Sequence, residues 1–168
     1  MLVITATPPG QAHAGDVTGQ ASVIDGDTIE IHGTRVRLYG IDAPEHDQLC
    51  RDRRGERYRC GQVASNALAG FIGRQAVACV EVDRDQYKRT VAVCAVGKAD
   101  LADLLVRGGL AIDWPRYSKG GYASAEAEAR GKRSGVWGGR FVEPWRYRRC
   151  ISAGGRPEGC SAEGISER

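Results

Sequence analysis

The chain has 168 residues and a formal net charge of +3, so it fits one domain and is long enough for a real hydrophobic core. That charge is too mild for a protein held to nucleic acid by counterion release alone. No stretch approaches the apolar length needed to span a bilayer, so a soluble chain with no membrane partner is expected.

Residues 1–17 read as a secretory leader remnant or lead-in. The segment 2–6 is a short apolar run and Ala12-His13-Ala14 has a small-x-small cleavage pattern, although a basic n-region is missing. A plain disordered tail is the alternative. Residues 21–24 predict a strand, Asp25-Gly26 a bend, and 27–31 with 35–39 a hairpin. With Gly33-Thr34 as a two-residue type II′ turn, Ile31 faces Val36 and Ile29 faces Leu38, so four apolar side chains share one face. From Gly61 to about Arg74, the residues Val63, Ala64, Ala67, Leu68, Phe71 and Ile72 recur at helical spacing. A second hairpin, 77–83 with 90–96, has its tip near Tyr87. Asp100 is a fair N-cap for a short helix carrying Leu101, Leu104 and Leu105, which Gly108-Gly109 stops. A short strand at 110–113 and a last helix at 122–132 follow, and the tail from about Ser152 is expected to be irregular beyond a Cys150–Cys160 loop. Two hairpins with interspersed helices predict an α+β fold, closed economically as a five-stranded barrel with about three helices. The expected organisation is a lead-in at 1–17, a main domain at 18–150 and a tail at 151–168.

Six cysteines are many for a cytosolic chain of this size. None lies in a C-x-x-C pair and the three histidines lack zinc-finger spacing, which argues against structural zinc. Six cysteines allow 15 pairings. Cys50–Cys60, Cys79–Cys94 and Cys150–Cys160 each close a plausible local loop, and such staples imply an oxidising, secreted or periplasmic setting.

The chemistry concentrates in Val23-Ile24-Asp25-Gly26-Asp27-Thr28 and the run from Arg35 to Glu45. In the hairpin register above, Asp27 lies opposite Gly40, with Asp42 one step beyond on the same face. Two converging carboxylates repel unless a cation joins them, and oxygen-only ligation favours calcium or magnesium. An EF-hand is excluded, because the sixth position from Asp25 is Glu30 and the twelfth is Val36. Taken singly, Asp-Gly and Asp-Ala-Pro are ordinary turn formers. Arg37 can grip a phosphate with its fork, but ideal alternation puts it on the face opposite Asp27. A bulge or sharp coiling near Gly26 or Gly40 is required to unite them.

Val-Ile-Asp-Gly-Asp-Thr, Arg-Leu-Tyr-Gly-Ile-Asp-Ala-Pro-Glu and Asp85-Gln86-Tyr87-Lys88-Arg89 together resemble the staphylococcal nuclease family over roughly 18–145. The resemblance implies an OB-fold barrel with three helices and a calcium-dependent, sugar-nonspecific endonuclease leaving 3′-phosphate ends. By motif position it implies Asp27 and Asp42 as calcium carboxylates and Ala43 as a carbonyl ligand. Glu45 is then the residue that orients or deprotonates water, Arg37 and Arg89 are the phosphate-gripping arginines, and Tyr87 and Tyr117 are nucleotide contacts. The expected cofactor is Ca2+, the substrates are DNA and RNA, preferably single-stranded, and the expected state is a monomer. Ala43 stands where the family archetype has threonine, and the segment 47–58 replaces a mobile lysine-bearing loop with an arginine-rich one pinned by Cys50–Cys60.

Three features keep plainer readings. Trp114, Trp137 and Trp145 read as packing aromatics. The run Arg130, Lys132, Arg133, Arg140, Arg146, Arg148 and Arg149 reads either as a solvated face or as one turned to a polyanion. The same barrel without cleavage, a nucleic-acid- or protein-binding module, is the rival to an enzyme.

Overall fold

The computed structural model describes residues 16–161. Of the expected lead-in, only Asp16 and Val17 fall among the described residues. Strands β1 (Val17–Gly19), β2 (Ala21–Asp25), β3 (Thr28–Ile31) and β4 (Thr34–Leu38) come first. The two-residue β5 (Ile41–Asp42) and the pair β6 (Leu49–Arg51) and β7 (Arg57–Arg59) follow. Helix α1 (Cys60–Ile72) leads to the long hairpin β8 (Val77–Arg84) and β9 (Thr90–Val96), then β10 (Ala99–Asp100), α2 (Leu101–Arg107) and β11 (Ile112–Asp113). Helices α3 (Pro115–Ser118), α4 (Ala123–Lys132), α5 (Pro144–Ser152) and α6 (Pro157–Cys160) complete the order, with a 3-10 turn at Gly135–Gly138.

The main sheet runs β1-β8-β9-β4-β3-β2. Its two ends, β1 and β2, are separated in the chain only by Gln20. One bent segment therefore serves both edges and closes a five-stranded barrel, leaving no long free edge. Alternation fills the barrel as the sequence pattern predicts: Thr90, Ala92, Cys94 and Val96 of β9 point inward, as do Ile29, Ile31, Val36 and Leu38. Leu68 and Ile72 of α1, with Leu101 and Leu105 of α2, join the same cluster. Asp100 caps α2 as expected, its carboxylate accepting from the N–H groups of Ala102 and Asp103 at 2.8 and 3.3 Å.

The first hairpin departs from the expected register. Ile31 pairs with Thr34 and Ile29 with Val36, so the turn is His32-Gly33. Both residues have positive φ, 51° and 79°, as a type I′ turn requires. The turn centre moves by one residue and each cross-strand partner by two. A shift of two preserves the faces, which is why the core set is as read.

The chain after α4 also departs from expectation. The helix at Ala123–Lys132 is not the last one, because α5 and α6 follow it. Each begins with proline, which supplies helical φ where no N–H is needed. The apolar face of α5 is narrow and set among arginines, so the segment reads as a charge run.

All three expected disulfides form: Cys50–Cys60, Cys79–Cys94 and Cys150–Cys160. Each sits in a different cluster, one in the barrel core and one in each satellite under β6–β7 and under α5–α6. Small satellites bury little and gain most from a covalent tie. Among the described residues no helix is long and apolar enough to cross a membrane.

Cys79 and Cys94 are direct cross-strand partners separated by 15 positions. Replacing both with alanine is expected to lower unfolding free energy by about 3 kcal/mol, read from urea titrations of oxidised protein. A loss below about 1 kcal/mol would show that the hairpin holds without its staple.

Candidate active site

The conflict between Arg37 and Asp27 is resolved by where each strand stops. Asp27 is not in β3, which begins at Thr28. It lies in the tight Gly26-Asp27 turn, where Asp25 pairs with Thr28 and β2 carries an irregular register. Its side chain is therefore released from strand alternation. After Leu38 the chain turns at Gly40, whose φ of +75° admits no ordinary side chain without strain. A Cβ there would also meet Ser118 Cβ at 2.9 Å. The turn delivers Asp42 on β5 back beneath Arg37. Arg37 Nη2 then meets Asp27 Oδ2 at 2.8 Å and Asp42 Oδ1 at 2.9 Å.

Arg89 reaches the same place by a parallel pairing. Arg37 of β4 lies beside Val91 of β9, so Arg37, Val91 and Arg89 share the barrel's outer face on neighbouring strands. The loop before β9 orients Arg89. Asp85 Oδ1 accepts from the N–H groups of Tyr87 and Arg89, both at 2.9 Å, and Asp85 Oδ2 accepts from Arg89 Nε at 2.6 Å. Burial raises the Asp85 carboxyl, but the Arg89 and Tyr87 bonds outweigh it and hold the group below its usual value.

β5 pairs with β11, bringing Ile112 opposite Asp42. The next residue but one, Trp114, donates its N–H to Gly40 at 2.9 Å. Tyr117 follows one turn on, held by Tyr39 Oη donating to its carbonyl at 2.7 Å. Glu45 sits where Gly61 opens α1. A Cβ on Gly61 would lie 1.9 Å from the Glu45 carbonyl oxygen, so this close approach requires glycine.

These elements enclose a cavity of about 550 Å³ lined by Asp27, Arg37, Ala43, Glu45, Tyr87, Arg89 and Tyr117. Every metal, catalytic and nucleotide residue expected from the sequence borders it except Asp42, which is wholly buried just behind. Tyr87 and Tyr117 are 72% and 44% exposed at its rim.

Asp25, Trp114 and Arg148 also line it, and none of them was assigned a site role from the sequence. Arg148 comes from α5. Its Nη1 donates to Asp42 Oδ1 at 2.9 Å and Glu45 Oε1 at 2.7 Å, while Nη2 donates to Asp42 Oδ2 at 2.9 Å. Trp114 lies against both guanidiniums, 5.9 Å from Arg37 and 5.6 Å from Arg148, and stacks on Trp145 at 5.8 Å. Trp114 and Trp145 thus pack as expected, and Trp114 also forms a cavity wall. The available signal was the Trp145-x-x-Arg148 spacing, which puts both side chains on one helical face.

Electrostatically the inner cavity is under-compensated. Asp25, Asp27, Asp42 and Glu45 face Arg37 and Arg148, a formal excess of two negative charges. Burial, then the charge of Asp27, pushes Asp25 up to about 6. Burial also pushes Asp42 up to about 6, outweighing the arginine contacts. Burial works against the Arg148 cation, but the bonds and charges of Asp42 and Glu45 raise its pKa. Among the described residues no three His, Cys, Asp or Glu side chains form a ready metal cage. The donors on offer are the Asp27 and Asp42 carboxylates and the Ala43 carbonyl. All are oxygens, two of them from carboxylates, and that set fits a hard divalent cation.

Gly61→Ala is expected to lower stability by about 1–3 kcal/mol through overpacking, read by urea unfolding, and to slow catalysis by shifting Glu45. Asp85→Ala is expected to reduce turnover by freeing Arg89. Because the folded Asp85 carboxyl is depressed, its stabilisation is complete above its unfolded value of about 4 and lost as pH falls through the lower folded value. The stability gap between wild type and Asp85→Ala should therefore be constant from pH 5 to 7 and close in stronger acid.

Residues 35–139 match the family described as staphylococcal nuclease homologue. The chain is 46% identical over 127 residues to the succinoglycan biosynthesis protein ExoI of Rhizobium meliloti (strain 1021), covering 74% of this chain and 66% of that protein, just under two thirds of its length. It is 34% identical over 168 residues to Protein ParB of Escherichia coli, covering 88% of this chain and 86% of that one. With Micrococcal nuclease of Shigella flexneri the identity is 31% over 166 residues, covering 89% and 88%. The closed barrel, the acid–arginine cavity and these matches lead to one assignment: the chain belongs to the staphylococcal nuclease family and is a nuclease hydrolase.

Proposed function

We propose that the chain is a calcium-dependent endonuclease that hydrolyses phosphodiester bonds of DNA and RNA with little base specificity, by in-line attack of water. One observation carries the reading: Asp27, Ala43, Glu45, Arg37 and Arg89 line one cavity from three separate stretches of chain, with Asp42 buried just behind. Residues 18–150 are the proposed nuclease domain.

In this reading Asp27, Asp42 and the Ala43 carbonyl hold the cation. When bound, calcium supplies positive charge beside the phosphoryl oxygens as negative charge accumulates there. Arg37 and Arg89 present guanidinium forks to those oxygens and stay charged at every working pH. Glu45 takes the proton of the attacking water, a role worth on the order of a hundredfold or more. None of these groups reads a base edge. Tyr87 and Tyr117 at the rim stack on unpaired bases, which favours single strands. Three disulfides suit a secreted or periplasmic setting, and the chain is read as a monomer.

The rival, a barrel that binds nucleic acid or protein without cutting, has one observation in its favour: both oxygens of Asp42 are already engaged by guanidinium groups. Incubation of oxidised protein with labelled single-stranded DNA separates the two. Cutting is expected with calcium and none with chelator. Glu45→Gln and Arg89→Ala should each lose about a hundredfold or more in kcat. Equal degradation in chelator removes the metal role, and tight binding without cutting in calcium establishes the module.

A further inference from the structure

Arg148 lies outside residues 35–139, the span matched by the family, yet it makes more contacts to the site's acids than any sequence motif implied. The arm that carries it is fastened to the barrel around the segment bearing Glu45. Arg51 and Arg140 exchange backbone bonds at 2.8 and 3.0 Å. Gln48, fully buried, donates from Nε2 to the Val142 carbonyl at 2.6 Å and accepts from the Glu45 N–H at 3.2 Å. Ser161 Oγ accepts from the Leu49 N–H at 2.9 Å. Two residues beyond Arg148, Cys150 is bonded to the buried Cys160. A solvated arginine needs none of this anchoring.

The fork itself has a specific geometry. Nη1 bridges Asp42 and Glu45, and Nη2 takes the second oxygen of Asp42. Asp42 Oδ1 also accepts from Arg37, so two guanidiniums use both lone pairs of that oxygen. An incoming divalent cation meets a fixed positive charge on the carboxylate it needs, and Glu45 is held in line by the same group. We propose that Arg148 is a positioning residue that braces Glu45 against Asp42 and, through its charge, loosens the site's hold on its divalent cation. This rests on the reading that Asp42 and Glu45 serve phosphodiester cleavage. The consequence is a split that neither a surface charge nor a purely structural arginine produces: loss of Arg148 tightens cation binding while it slows turnover.

Calorimetric titration with calcium alone, without nucleic acid, is the first measurement, made on wild type, Arg148→Gln and Arg148→Lys. Arg148→Gln is expected to bind calcium about tenfold more tightly, since a unit charge a few ångströms away is removed. Arg148→Lys keeps the charge and should stay near wild type. Steady-state cleavage of single-stranded DNA is the second measurement. Both variants are expected to lose about tenfold or more in kcat with KM little changed, because lysine is a point charge and cannot span two carboxylates. Urea midpoints report folding, and the lysine variant serves if the glutamine one does not fold. Unchanged or weaker calcium binding by Arg148→Gln overturns the proposal, as does a kcat within twofold of wild type in both variants. Glu45→Gln, run alongside, separates the failures: wild-type kcat there defeats the role of Glu45, while the calorimetric comparison still scores the charge effect of Arg148.

Discussion

A buried guanidinium bridging two buried carboxylates organises this molecule. Arg37 is only 17% exposed at its side chain, and Asp27 and Asp42 are 6% and 0% exposed. Three charges withdrawn from water must satisfy one another, and removing a member of such a set costs about 3–5 kcal/mol. That requirement joins the β2–β3 turn, strand β4 and strand β5 at a single point. It also leaves the local carboxylates in excess, so the energetic weakness of the folded chain and its chemical capacity lie in the same cavity.

The barrel gives that point its surroundings. Parallel pairing of β4 with β9 brings Arg89 alongside Arg37, and the short β5–β11 ladder brings Trp114 and Tyr117 over it. The residues on the barrel's inner face pack the core, while its outer face, one position along, carries the arginines. Beyond the family-matched span, the α5–α6 arm adds a third arginine and an aromatic partner for Trp114. The segment 47–58, where a mobile loop was expected to be replaced by a pinned one, is the small β6–β7 hairpin tied by Cys50–Cys60. Two of the three disulfides tie the small satellite cores, where hydrophobic burial is least.

How far the sequence could be read follows from the range of each interaction. Ile29, Ile31, Val36 and Leu38 were legible as core because alternation is a property of one strand. The turn between them was misplaced by one residue, because a type I′ turn with histidine at positive φ lacks the usual Asn-Gly or Asp-Gly signal. Asp27 looked incompatible with Arg37 only while it was counted as a strand residue. Local cysteine pairs were readable because each closes a short loop. Arg148 was not, since its partners Asp42 and Glu45 lie more than a hundred positions away.

The residue types of the site, the inward faces of the hairpins, the cap of α2 and the staples were readable from the chain alone, because each depends on partners no more than 15 positions apart. Tertiary structure alone decided that Asp27 leaves the strand, that Arg89 and Arg37 share a face, and that α5 inserts a guanidinium among the acids. Those outcomes depend on barrel closure and on compensating buried charge across the whole chain. No local pattern encodes which distant partner a buried ion will find.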